Sequence, residues 1–214
     1  VRALSMQRCG ASPASRSSIV IGICTDSHSL LSPELIARFG IEVVPLTITM
    51  GDLEYLDGVD IDIDAYYALT NDPDNPPAAP IQPSSGQFAL AYDRLVERGA
   101  DQILSIHTSC GIAGTLTSAR LATRCSAVPV RVIDTATPSF SLSCAVWAAA
   151  EAVAAGADLS TTIEVIEKTT AGVGNRFVYE ASESCRMAMG HGGEQISLLS
   201  LIADEVHIVG TVNS

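Results

Sequence analysis

The chain has 214 residues, 47% of them hydrophobic, and sets 24 Asp and Glu against 12 Lys and Arg for a net charge of −12. That apolar content fills the core of one large domain, or of one domain plus part of another, and excludes wholesale disorder. The acidic balance and the lack of any basic run exclude a nucleic-acid partner, but a single anionic ligand remains compatible with it, because backbone N–H groups and hydroxyls can hold an anion locally.

Residues 1–18, "VRALSMQRCGASPASRSS", carry scattered Arg and Ser without the apolar stretch of a secretory signal, and read as a loose tail. Ser18 to Cys24, "SIVIGIC", is a β-branched run expected to form a buried first strand. It ends in "TDSHS", where Asp26 could orient the Ser27 hydroxyl or hold a cation, although an N-cap or Asx-turn is the commoner role of such a pair. Ser32-Pro33 then opens a helix. "IEVVPLTITM", Ile41 to Met50, reads as one strand interrupted by Pro45, followed by an excursion with a D-G turn and a short helix over "IDAYYAL" capped by Asp62. The acid-rich "DGVDIDID" lacks EF-hand spacing and reads as a solvated turn and cap.

Five prolines between Asp72 and Pro83 mark "TNDPDNPPAAPIQPSSG" as an extended connector. Ser84 or Ser85 caps the next helix, which runs to Arg98 and stops at Gly99. From there strands and helices alternate: strand Gln102–Ile106, helix Ala113–Arg124, strand Val130–Ile133, helix Ser139–Ala155, helix Leu159–Thr170, strand Arg176–Tyr179. This order predicts an α/β fold with a mostly parallel sheet and helices on both faces. Ligands of such sheets sit beyond the carboxyl ends of the strands, which brings the loops starting at Thr25, His107 and Asp134 to one edge. The most apolar segment, Phe140 to Gly156, contains Ser141, Ser143 and Glu151 and is expected to be a buried helix rather than a membrane span.

Within "HTSCGIAGT" the hydroxyls of Thr108 and Ser109 and the glycines Gly111 and Gly114 precede a helix N-terminus, a place suited to a carboxylate or phosphate. The same residues equally suit a helix cap with no ligand. A P-loop is excluded, since no Lys follows Gly114. His28 and His107 leave strand ends and are candidate general bases, but each is more often a loop histidine. A Ser109–His28–Asp26 hydrolase site is conceivable, without a G-x-S-x-G elbow to support it. The six cysteines are widely spaced, with neither C-x-x-C nor histidines at metal-ligand spacing, so free thiols in a reducing cytosol and no metal or cofactor are expected.

Taken in order, "CTDSHSLLSPELIARFGIEVVPLTI", "YLDGVDI", "QPSSGQFALAYDRL", "GADQILSIHTSCGIAGTLTSA", "VRVIDT" and "FVYEA" resemble the DegV family of bacterial fatty-acid-binding proteins, which includes the acyl-carrying B subunits of fatty acid kinase. The resemblance spans about Ile19 to Met189. It implies a cytoplasmic carrier that holds a long-chain fatty acid and presents its carboxylate to a partner kinase, rather than an enzyme acting alone. It also implies that a Thr-Ser-Gln-Pro-Ser motif and a Ser-Ser-x-Leu-Ser-Gly-Thr motif surround the headgroup. Here Gln82, Pro83 and Ser84 match the first motif, with Pro80 and Ile81 in place of its Thr and Ser. Ser109, Gly114 and Thr115 match the second, with Cys110 and Ala113 replacing its other serines. The expected headgroup set is therefore Ser109, Gly114, Thr115, Gln82, Ser84, Thr108, Asp26 and Ser27. The alternative is a small-molecule hydrolase or acyltransferase using Ser109 or Cys110 as nucleophile, and a third reading is a relative that binds no ligand. Family chains continue past Ser214, so residues 19–174 are expected to form the α/β domain, and 175–214 the start of a second, smaller α+β domain in a C-terminally shortened member.

Overall fold

A computed structural model describes residues 19–108, 114–137 and 139–173, together with the backbone of 175–180 and 207–212. The first strand, β1, covers Ile21–Asp26, slightly later than the apolar run alone suggests, and leads through a 3-10 turn at Ser27–Ser29 into helix α1, Pro33–Phe39. The Ser32 hydroxyl caps α1 by accepting the Leu35 N–H, as its position before Pro33 predicts.

The segment expected to be one strand is two. Strand β2, Glu42–Val44, lies parallel to β1, whereas β3, Thr47–Met50, begins a separate antiparallel sheet with β4, Leu53–Leu56. Pro45 has no N–H to donate, and the chain changes sheets there. Helix α2, Ile63–Thr70, is capped by Asp62, whose carboxylate accepts the Ala65 N–H at 2.8 Å. The proline-rich connector also departs from expectation: Ala78–Ile81 form strand β5, antiparallel to β3 with Ile48 opposite Pro80. Strand β5 lies at the edge of the β4-β3-β5 sheet, where a proline is tolerated.

Helix α3, Ser85–Glu97, strand β6, Gln102–His107, helix α4, Gly114–Ala122, strand β7, Val130–Asp134, and helices α5, Phe140–Ala154, and α6, Leu159–Gly172, follow the predicted alternation. Strands β2, β1, β6 and β7 pair in that order, all parallel, giving the expected α/β fold. Ile21, Ile23, Leu104 and Ile106 pack against α5 and α6 on one face, while Cys24, Val44 and Ile103 pack against α3 and α4 on the other. Side chains alternate along a strand, so the even residues of β1 and the odd residues of β6 point together toward α3. Glu42 at the start of β2 also bonds Arg94 of α3 and Arg98 just past its end, both at 2.6 Å. Beyond α6, strand β8, Asn175–Glu180, pairs antiparallel with β9, His207–Val212. No helix among the described residues is long and apolar enough to cross a membrane.

Candidate ligand site at the carboxyl edge of the parallel sheet

The alternation that sends Cys24 and Ser105 toward α3 also sends Asp26 and His107 there, at the carboxyl ends of β1 and β6. Both are fully buried. Asp26 Oδ2 lies 2.5 Å from His107 Nδ1, and Asp26 Oδ1 accepts the His28 N–H at 3.0 Å and lies 3.1 Å from His28 Nδ1. Burial pushes the Asp26 carboxyl upward, but its hydrogen bonds to His107 and His28 outweigh this and hold it below the usual carboxylate range. Because an ionised carboxylate only accepts, His107 carries its proton on Nδ1.

On the other side of the ring, His107 Nε2 lies 2.6 Å from Ser105 Oγ, which lies 2.9 Å from the Tyr92 hydroxyl. The relay ends at the Ala119 carbonyl, 3.3 Å from the Tyr92 oxygen. Burial pushes the Tyr92 phenol and the Cys24 thiol beside it well above their ordinary ranges, so both stay protonated. Ser105, His107 and Asp26 thus have the connectivity of a Ser-His-Asp triad, but Ser105 is fully buried beneath α3 and no substrate carbonyl reaches its hydroxyl in this arrangement. Asp26 also fills the capping role expected of it, since its carboxylate closes the 3-10 turn. His107, expected as a loop histidine, is the last residue of β6, with its ring edge-on to Phe88 at 5.0 Å.

The other expected headgroup residues fall into groups. Gln82, just after β5, lies against the first residue of α4: a Cβ on Gly114 would stand 2.7 Å from the Gln82 Cδ and Nε2. This contact joins the two motifs singled out in the sequence. Thr115, in the first turn of α4, is buried, and Thr108 is buried just after β6. Ser27 accepts the Leu46 N–H at 3.1 Å, tying the β1 loop to the crossing between the two sheets. Ser84 is exposed and forms a capping box with Gln87, its backbone N–H donating to Gln87 Oε1 at 2.8 Å and its hydroxyl accepting the Gln87 N–H at 3.3 Å. Ser109 and Cys110 lie outside the described residues.

Among the described residues, four buried hydroxyls, those of Ser29, Thr115, Thr137 and Ser141, have no hydrogen-bond partner. All four lie in the connections that follow parallel strands or in the first turns of the next helices: Ser29 after β1, Thr115 in the first turn of α4 after β6, Thr137 after β7, and Ser141 in the first turn of α5. Unpaired buried hydroxyls cost free energy, and their concentration on one edge of the sheet marks a place where polar partners are wanting. No cluster of three or more His, Cys, Asp or Glu suited to a metal occurs among the described residues.

Residues 20–183 match the family model described as uncharacterised protein, DegV family. The chain belongs to the DegV family. It is 32% identical over 183 residues to a DegV domain-containing protein of Streptomyces coelicolor, an overlap of 86% of this chain and 64% of that relative. A DegV domain-containing protein of Deinococcus radiodurans is 34% identical over 182 residues, again with 64% of the relative covered. The chain therefore spans about two thirds of the length of these DegV relatives. Among solved structures, a DegV family protein from Thermus thermophilus described by its fatty acid binding superposes with a TM-score of 0.71 at 28% identity, covering 91% of this chain and 68% of that one. DegV from Bacillus subtilis, described as a fatty acid binding protein, shares the DegV fold with a TM-score of 0.70 at 19% identity, covering 92% of this chain and 73% of that one.

Proposed function

We propose that this DegV family chain binds a long-chain fatty acid at the carboxyl edge of its parallel sheet, with the headgroup at the N-terminus of α4. The observation that carries this reading is the set of unpartnered buried hydroxyls that, among the described residues, falls at that edge, Thr115 foremost. A carboxylate there would accept from Thr115, from Ser109 and Thr108, and from the N–H groups of Gly114 and Thr115 at the start of α4, with the Gln82 carboxamide as a further donor. Asp26, Ser27 and Ser84 have their side chains engaged within the protein, and in this reading they shape the loops that carry the contacts. Each buried methylene adds about 0.8 kcal/mol, so a ~16-carbon chain contributes more than the headgroup. The Thermus thermophilus relative supports the ligand class.

The carrier role follows as the finer part of the proposal: a cytoplasmic protein that presents the bound carboxylate to a fatty acid kinase catalytic subunit. The Ser105–His107–Asp26 relay lends no support to the alternative of an enzyme with a Ser109 or Cys110 nucleophile, because its serine is sealed beneath α3. Native mass spectrometry of freshly purified protein, followed by lipid extraction, tests the ligand. A long-chain fatty acid adduct is expected, and protein that carries none and takes none up from added oleate would overturn the reading. Acyl phosphate formation on adding a fatty acid kinase catalytic subunit and ATP tests the partner.

A further inference from the structure

We infer that His107 is a positioning residue: held by Asp26 through Nδ1, it fixes the carboxyl ends of β1, β6 and β7 in the one arrangement that brings their loops together. The identity of the ligand those loops hold rests on the fatty-acid reading above, whereas the positioning itself does not.

Three loops meet on this residue. Toward β1, His107 Nδ1 is 2.5 Å from Asp26, whose other carboxylate oxygen accepts the His28 N–H at 3.0 Å and so fixes the first step of the β1 loop. Toward β7, the His107 carbonyl accepts both the Thr135 N–H at 2.9 Å and the Thr135 hydroxyl at 3.0 Å. That hydroxyl also lies 3.1 Å from the Thr137 carbonyl, which carries the constraint into the loop before α5. The β6 loop begins at the next residue, Thr108, and delivers Gly114 and Thr115 to the start of α4. The two ring nitrogens divide the work. Nδ1 faces the loops through Asp26, while Nε2 faces back into the core through Ser105 and Tyr92.

This division makes the inference testable with two single substitutions. Asn places a donor near the position of Nδ1 and nothing at Nε2, whereas Gln reaches toward Nε2 and takes from Asp26 Oδ2 its His107 donor. Amide hydrogen exchange of the ligand-free protein reads the loops directly, urea unfolding reads global stability, and displacement of a fluorescent fatty acid reads the site. In His107→Gln, exchange in the loops after β1, β6 and β7 is expected to quicken and fatty-acid affinity to fall about tenfold or more, the loss appropriate to a hydrogen bond to a charged group. In His107→Asn both are expected to stay within about threefold of the wild type, even where unfolding shows a similar loss of stability in the two variants.

Equal effects of Asn and Gln on the loops, or a larger effect of Asn, would overturn the inference and reduce His107 to a filler beneath α3. Wild-type protein that binds no fatty acid, alongside exchange that still separates Gln from Asn, would retain the positioning role and remove the ligand. Should neither variant fold, Thr135→Val deletes one donor to the His107 carbonyl without touching the ring. Faster exchange in the β6 and β7 loops is expected there, and unchanged exchange would count against the inference.

Discussion

Gln82 lies across Gly114 so closely that the glycine has no room for a Cβ, which would stand 2.7 Å from the Gln82 carboxamide. The end of the antiparallel arm is thereby set against the start of the helix expected to receive the ligand.

Gly114→Ala is the direct probe of that contact. The obstructing atoms are the far end of an exposed, flexible side chain that can move aside, so the fold should lose little stability. Gln82 has to swing away, and fatty-acid affinity should fall several-fold. A displacement titration beside a thermal melt checks both halves, and wild-type affinity would remove Gln82 from the site.

Thr115→Val has the opposite character. It keeps the side-chain shape and removes a buried hydroxyl that has no partner. The ligand-free protein should gain about 1 kcal/mol of stability while fatty-acid binding weakens by roughly 1–3 kcal/mol. Urea unfolding of delipidated protein is the decisive measurement: a clear loss of stability would mean that the hydroxyl already has a partner.

The Asp26 carboxyl makes stability depend on acidity with a definite sign. Its folded value lies below the ordinary 3.8, so between the two values the unfolded chain binds more protons than the folded one and stability rises with pH. The contribution is complete above about pH 4 to 5 and is lost as the pH falls further. Asp26→Asn should lower stability at neutral pH and flatten this acid limb. Denaturant midpoints measured from neutral pH down to about pH 3 would show it, and an unchanged slope would contradict the pairing.

Ser84→Ala separates cap from ligand contact. The hydroxyl and the backbone N–H of Ser84 are both engaged with Gln87, so its loss should cost about 1 kcal/mol of stability. Fatty-acid affinity should hardly change once stability is allowed for. A large affinity loss at intact stability would place Ser84 at the headgroup after all.

The features legible in the sequence were those set by local chemistry. Asp62 and the Ser84-Ser85 pair announce their helices as caps, and the β-branched strands with their intervening helices announce the parallel sheet. The errors arose where tertiary position overrode a local rule. Pro80 argues against a strand until the strand lies at an edge, and Pro45 interrupts one strand only because the chain is leaving one sheet for another. The Ser105–His107–Asp26 relay is not among the sequence expectations, where Ser109–His28–Asp26 is only conceivable, although a signal is present. In "QILSIH" Ser105 and His107 stand two apart in an apolar strand, and Cys24 and Asp26 do the same in β1, which places each pair on one face of its strand. Their meeting depends on β1 lying beside β6, and that neighbour relationship is not written in either strand.

That adjacency also has a temporal consequence. Asp26 and His107 are 81 residues apart in the chain. At about 5–20 residues per second, synthesis delivers the histidine roughly 4–16 s after the aspartate. Until then β1 can pair with β2 and the β3–β4–β5 arm can close on itself, but the centre of the sheet lacks a strand and the Asp26 carboxylate must stay in water. The buried relay therefore cannot form before β6 has been made, and the nascent chain spends several seconds with one edge of β1 uncovered.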